Sequence, residues 1–349
     1  MKRILLVTPS LELHGGVCEY NKMLIKYSKH KLIPFELHST LYNNSILKLL
    51  FFVSDIIRFI IFCLIKKVDI VHLGPSLGKN ALIRDSIFTY ISKTYNKSVF
   101  IQWHGWNPNN EYLISSKHNS FFINTLYRAD HIRFLSLTFK DKICASGYSN
   151  NWSIGNTFID DDFLNISEQK SDCDSIKILF LSTLSKNKGI YTALKAFSLL
   201  NHKNISLTVA GKGSEIESVN QFINTHKNLS ISYIGYVDGY KKVSTYLNSD
   251  IYIFPSLYEG MPTSVIEAMG LGLPVVCSNV GALPDFFVNE KMGFMIDDNS
   301  PLKFAEKLSI LIENEQRRKD ISQFNQNFVK TCFIASASVS KIDELYHSI

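Results

Sequence analysis

The chain has 349 residues, of which 46% are hydrophobic and 19% charged, with a formal net charge of +6. That balance excludes a disordered chain, and the length exceeds what one core needs, so two domains are expected. The lysines are spread along the sequence with no long basic block and no nucleic-acid-binding motif. The positive balance therefore points to a nucleotide, a phosphate or an anionic surface as partner, with no nucleic acid expected.

Six cysteines (Cys18, Cys63, Cys144, Cys173, Cys277, Cys332) are scattered and form no CxxC pair, which fits a reduced, cytoplasmic protein. In chain order, "RILLVTP" opens the sequence; its apolar run at 4–7 is too short for a secretory segment and reads as a first buried strand. "LHGGVCEYNKML" follows. Gly15 and Gly16 allow a sharp turn into a helix whose first N–H groups could hold a phosphate, or they mark a turn and nothing more. The full GxGxxG fingerprint is missing, which counts against a nicotinamide enzyme. "ILKLLFFVSDIIRFIIFCLIKK" is the one membrane-like run, but Lys48, Asp55 and Arg58 interrupt it, and a spanning helix wants about 20 nearly uncharged residues. A core helix packed on a sheet is expected; contact with the inner membrane surface, helped by the basic "KYSKHK" at 26–31, is the alternative.

"VDIVHLG" and "SVFIQWHG" each read as a strand ending in a glycine loop. His104 stands after the second, either to meet a ligand hydroxyl or as an ordinary half-buried loop histidine. Trp103 and Trp106 either stack on a sugar ring or pack. His118 and His131 lie too far along for a metal spacing and no HExxH occurs, so no metal site is expected. Residues 154–175 are polar and acidic and suit a linker. Four more strand–loop units follow: "IKILFLST", "ISLTVAGKG", "LSISYIGYV" and "DIYIFPS". Near-continuous apolar strands alternating with helices imply parallel sheets covered on both faces, with ligand loops at the strands' carboxyl ends. The expected architecture is α/β, two doubly wound domains across a cleft. The boundaries are 1–160, 161–330 and a final helical segment, 331–349.

Three loops in the second half carry chemistry. "STLSKNKGIYTALKAF" places Lys188 and Gly189 just before a helix, where a lysine opposes the helix dipole unless a diphosphate is bound. "AGKG" puts Gly211 at another strand end. "YEGMPTSVIEAMGLGLPVV" brings Glu259 and Glu267 to the start of a helix in which Pro262 suits the first turn and 264–269 continue. Glu267 should lie ~7–8 Å beyond Pro262 along the axis. The two carboxylates are thus not expected at the ~5–5.5 Å of a retaining hydrolase pair. Carboxylates are acceptors suited to paired ring hydroxyls, while phosphate suits the N–H groups of Gly260, Met261 and Thr263 and the lysine across the cleft.

Glu259 and Glu267 in this setting closely resemble the EX7E signature of glycosyltransferase family 4. The Gly15–Gly16 loop, His104–Gly105, Lys188–Gly189, "AGKG", "YIGYV" and "VGALPDF" extend the likeness over nearly the whole chain. The resemblance implies a GT-B fold of two Rossmann-like domains, the last helix crossing back to the first. It also implies retaining, metal-independent transfer of a hexose from a nucleoside-diphosphate sugar to a saccharide or lipid-linked saccharide, in surface polysaccharide biosynthesis, with no cofactor. Carried over, Glu267 binds the ribose hydroxyls, and Glu259 the donor sugar, alongside Gly260, Met261, Pro262 and Thr263. Lys188 and Gly16, with Gly15 and Gly211 in the same donor site, serve the diphosphate, and His104 lines the sugar and acceptor side. The family commonly carries arginine where this chain has Thr183, with Lys186 as the candidate replacement. An idle nucleotide-sugar-binding protein is the competing expectation, and a nucleotide-sugar epimerase a third.

Overall fold

The computed structural model describes residues 1–13, 15–42, 44–115, 119–166 and 175–349. The chain divides into two compact units, Met1–Phe158 with Ala335–Ile349, and Ile159–Ile334. The chain thus leaves the first unit inside the expected linker, of which 167–174, with Cys173, lies outside the described residues, as does His118.

The first unit runs β1 (Arg3–Pro9), α1 (Gly16–Tyr27), β2 (Lys31–Leu37), α2 (Ser45–Ile65), β3 (Ile70–Leu73), α3 (Lys79–Thr94), β4 (Ser98–Gln102), α4 (Asn119–Asn124), β5 (His131–Phe134), α5 (Leu137–Ala145) and β6 (Asn151–Ile154). Its six parallel strands take the order β2-β1-β3-β4-β5-β6. Alternation along β1 shows why the strand is apolar throughout. Leu5 and Val7 enter one core with Phe35, Phe59 and Phe88, while Ile4 and Leu6 enter the opposite one with Tyr20, Leu24 and Tyr346.

The second unit runs β7 (Ile176–Leu181), α6 (Ile190–Ser198), β8 (Ile205–Ala210), α7 (Ile216–Thr225), β9 (Ile231–Tyr233), α8 (Gly239–Leu247), β10 (Ile251–Phe254), α9 (Thr263–Gly270), β11 (Val275–Ser278), β12 (Gly293–Ile296), α10 (Pro301–Glu313) and α11 (Glu315–Cys332). The strand order is β12-β11-β10-β7-β8-β9, again parallel throughout. The order reverses between β7 and β10, and a doubly wound sheet opens its ligand crevice at such a reversal. The last helix, α12 (Ala335–Ser348), belongs to the first unit, where Val339, Ile342 and Tyr346 complete the Ile4–Leu6 core. Asp343 pins it there, accepting from Ser28 Oγ at 2.6 Å and Lys29 N at 2.8 Å.

Four strands escape the sequence reading. β2 contains Pro34, which lacks an N–H; the strand survives because it is the sheet's edge. β6 is the opposite edge and mostly exposed, so its composition resembles a loop. β5 and β12 are four-residue strands with charged or glycine residues. The expected core helix is one on a single side only. α2 fully buries Asp55, Phe59 and Cys63. The Asp55 carboxylate accepts from His38 N at 3.1 Å, Ser39 N at 3.0 Å and the Arg58 guanidinium at 2.8 Å, so the charge that interrupts the apolar run faces inward. Among the described residues no helix is long and apolar enough to cross a membrane.

Candidate functional site

The second unit gathers most of the singled-out residues at the β7/β10 reversal. After β7, a 3-10 turn at Lys186–Lys188 ends on Gly189, whose φ of 75° lies in the left-handed region. A Cβ there would stand 1.8 Å from the Pro255 carbonyl oxygen, so only glycine lets the β7 and β10 loops meet this closely. Leu257 N donates to Asn187 O at 2.8 Å and Asn187 Nδ2 to Tyr258 Oη at 2.8 Å, which ties the two loops together.

That seam places Lys188 Nζ 2.6 Å from Glu259 Oε1, and Ser256 Oγ donates to the same oxygen at 2.7 Å. The lysine read from sequence as standing opposite the Glu259 loop is therefore in the same unit and paired with it. Lys188 keeps 30% of its side chain exposed and Glu259 10%, so the cation is the more accessible member to an arriving anion.

Glu267 lies within α9 and is nearly buried. Its Oε1 accepts from Lys242 Nζ at 2.6 Å and its Oε2 from Tyr246 Oη at 3.1 Å. The two glutamates thus have separate lysines, and each Glu267 oxygen retains a lone pair for a ligand hydroxyl. Lys242 and Tyr246 went unnoticed in the sequence. They sit four apart in "YKKVSTY" and share a face of α8, but no local pattern tells which neighbour that face meets.

The loop between the glutamates is held from behind. Ala282 N donates to Gly260 O at 2.8 Å, which is the work of the "VGALPDF" segment. Met261 is buried, and Pro262 is the N-cap of α9, one position earlier than its expected place inside the first turn; Thr263 opens the helix. Gly211 approaches the β7 loop so closely that a Cβ would lie 1.9 Å from Ser182 O. Its N–H donates to Gly235 O at 2.8 Å and its carbonyl accepts from Tyr233 Oη at 2.9 Å. Gly211 therefore shapes the crevice while its own polar groups are engaged. Thr183 is exposed, and Lys186, also exposed, acts electrostatically on Glu215.

In the first unit, exposed Gly15 caps α1 and exposed Gly16 begins it. His104 follows β4, its N–H bonded to Pro75 O at 2.9 Å. Its Nε2 is enclosed and has no hydrogen-bond partner among the described residues. Burial, and then the nearby Arg133 and Arg84 cations, push its pKa down to about 3, so the ring is neutral at physiological pH. Trp103 and Trp106 pack: both are buried, Trp106 stacks on Phe139, and their indole N–H groups bond Gly105 O and Glu111 Oε1. Among the described residues no group of three or more His, Cys, Asp or Glu is placed to hold a metal ion.

With this geometry in place, residues 162–328 match the family model described as glycosyl transferases group 1. That stretch, just under half of the chain, is similar to the group 1 glycosyltransferases. The group 1 region carries Lys188, Glu259, Glu267 and Lys242, the residues that the β7/β10 reversal draws together. Among curated proteins, a glycosyltransferase of Methanocaldococcus jannaschii is 29% identical over 180 residues, 50% of this chain and 46% of that protein. The capsular polysaccharide biosynthesis glycosyltransferase CapM of Staphylococcus aureus is 26% identical over 219 residues, 61% of this chain and 57% of that protein. The match thus spans about half the length of these relatives. Among solved structures, Anabaena HepE in complex with UDP superposes with a TM-score of 0.77 at 15% identity, covering 100% of both chains. That likeness is one of fold, and the fold is the expected GT-B class, with two Rossmann-like units.

Proposed function

We propose that the protein is a retaining glycosyltransferase that moves a hexose from a nucleoside-diphosphate sugar to a saccharide or lipid-linked saccharide in surface polysaccharide biosynthesis. The observation that carries this reading is the Lys188–Glu259 pair beside the Glu267–Lys242 pair in a group 1 region. In this assignment Glu267 receives the ribose diol and Glu259 the hydroxyls of the donor sugar. Lys188 exchanges its carboxylate partner for the diphosphate and stabilises the charge that builds on it as it leaves. In the first unit, exposed Gly16 and the start of α1 offer amides suited to a phosphate. The relatives named for capsular polysaccharide biosynthesis support the pathway class.

The reading takes front-face transfer, without a covalent intermediate, from the family resemblance. The bond from the anomeric carbon to the diphosphate oxygen breaks and one to the acceptor oxygen forms on the same face. The acceptor's proton passes to the departing diphosphate. The protein's groups bind, orient and neutralise.

The test is release of nucleoside diphosphate from a panel of nucleoside-diphosphate sugars with membrane extract as acceptor source. Release from one donor, lost in Glu267→Ala and unchanged by EDTA, is the expected result. Release abolished by EDTA overturns the metal-independent part. Donor binding with no release, even with acceptor-containing extract, overturns the transferase reading in favour of an idle binding protein.

A further inference from the structure

The outer side of α2 is unlike any other surface of the first unit. Ile46, Leu50, Val53, Ile57, Ile61 and Leu64 repeat at intervals of four and three, so they form one stripe along the helix. Each is between 47% and 71% exposed. The stripe spans 19 residues, ~27 Å of helix. Toward the amino end the exposure extends round the helix, because Leu47 and Leu49 are exposed too. α2 itself offers no acidic side chain on this side, since its only acid, Asp55, is buried and hydrogen-bonded; exposed Asp69, which accepts from Arg3 N, follows Lys66 and Lys67. Lysines stand at the carboxyl end of the stripe: Lys66 and Lys67 are exposed directly after the last turn, whereas exposed Lys48, seven residues before Asp55, is on the opposite side of the helix. Lys97 lies near enough to this end to act on the Cys63 thiol. Arg3 and Lys31, exposed register partners, stand on the same amino edge of the sheet.

We infer that α2 is a membrane-docking helix that lies in the interface of an anionic lipid bilayer, its apolar stripe among the acyl chains and its lysines among the headgroups. Two observations choose this occupant over a second copy of the chain. A helix pair buries one stripe, whereas the exposed apolar surface encircles much of the first two turns, which only a fluid apolar medium covers on all sides. A two-fold pairing of α2 helices would also find no exposed acid on α2 to meet the lysines, while an anionic surface complements the excess of Arg3, Lys31, Lys66 and Lys67 over Asp69 at this end. Asp55 and Arg58, held on the inward side and flank, explain how the helix is interfacial without spanning. The inference stands independently of the transferase reading, and it supplies a reason for a lipid-linked acceptor.

The test is co-sedimentation of the purified full chain with vesicles of phosphatidylglycerol and phosphatidylethanolamine, against vesicles of phosphatidylcholine alone. The expected result is ~10-fold or greater preference for the anionic vesicles, weakened by salt and by Lys66→Glu with Lys67→Glu. The triple variant Leu50→Gln, Ile57→Gln, Ile61→Gln alters only exposed positions; it should lose vesicle binding while keeping the wild-type affinity for nucleoside diphosphate. In a Leu50→Trp variant, indole emission at position 50 should shift to shorter wavelength on adding anionic vesicles. Wild-type protein that ignores both vesicles, or a triple variant that sediments like wild type, overturns the inference. So does a wild-type dimer in sedimentation velocity that the triple variant converts to monomer without any vesicle binding, which would assign the face to a second copy. Loss of donor release with vesicle binding intact would strike the proposed function and leave this inference standing.

Discussion

Lys188 and Glu259 neutralise each other at 2.6 Å, on two loops that meet only because Gly189 permits it. Under the proposed function, a diphosphate reaching Lys188 displaces that carboxylate, and the pair then sets both the affinity for the leaving group and its stabilisation. Lys188→Met should lower kcat by ~10²–10³-fold. Glu259→Gln should also lower turnover, but it relieves Lys188 of its competing anion and should tighten binding of free nucleoside diphosphate several-fold. Calorimetric titration of both variants separates these effects; weaker diphosphate binding by Glu259→Gln would refute the competition.

Lys242 acts through Glu267 and is a positioning residue. Lys242→Met leaves the Glu267 carboxylate with Tyr246 alone, free to turn away from a ribose diol. The expected result is a KM for the donor raised ~10-fold with kcat within about twofold, since a ground-state contact is what is lost. A fall in kcat with KM unchanged would contradict that role.

The position of Thr183 invites the reverse experiment. It is exposed, next to the Ser185–Lys188 turn, and carries no charge. Thr183→Arg should strengthen nucleoside-diphosphate binding several-fold and raise turnover. An unchanged affinity would mean that the arginine of related enzymes has no counterpart need here.

Two glycines of positive φ give a stability contrast. Gly189→Ala drives a Cβ into Pro255 O and should cost ~3 kcal/mol or more, or prevent folding. Gly239, at φ 48°, has nothing within 4 Å of a built Cβ, so Gly239→Ala should cost only ~1 kcal/mol. Denaturant melts of the two variants check the difference.

His131 provides the pH test. It is buried with Ser153 Oγ 2.8 Å from its Nε2, and burial, followed by Arg133, lowers its pKa from 6.5 to about 4. The unfolded chain therefore binds the proton first as pH falls. The stability due to the neutral ring is complete above pH 6.5 and is lost progressively toward pH 4. The loss is on the order of 3 kcal/mol. His131→Asn should flatten the unfolding free energy across that window relative to wild type; an identical slope would refute the assignment.

The apolar strands and the glycine loops at their carboxyl ends were legible because burial on both faces leaves a mark on every residue of a strand such as β1. Lys188, Glu259 and Glu267 stood out for a related reason: charged residues beside glycine-marked strand ends are visible locally, and the fold brings them to the β7/β10 reversal. β2 and β6 were not, since an edge strand need bury only part of itself and can carry proline or polar residues. The packing of Trp103 and Trp106, which the sequence left open, was settled by partners 31 or more residues away in Phe134 and Phe139. Likewise the membrane-like run around Asp55 held the right residues, but only the fold shows that Asp55 turns inward to His38 N and Ser39 N and leaves an apolar stripe outside, followed by Lys66 and Lys67. Local chemistry and periodicity determined the fold class and the candidate groups of the site. Which carboxylate meets which lysine, and which side of a helix stays uncovered, depended on how distant segments pack, because one helix face looks the same in sequence whether another helix, a ligand or a lipid covers it.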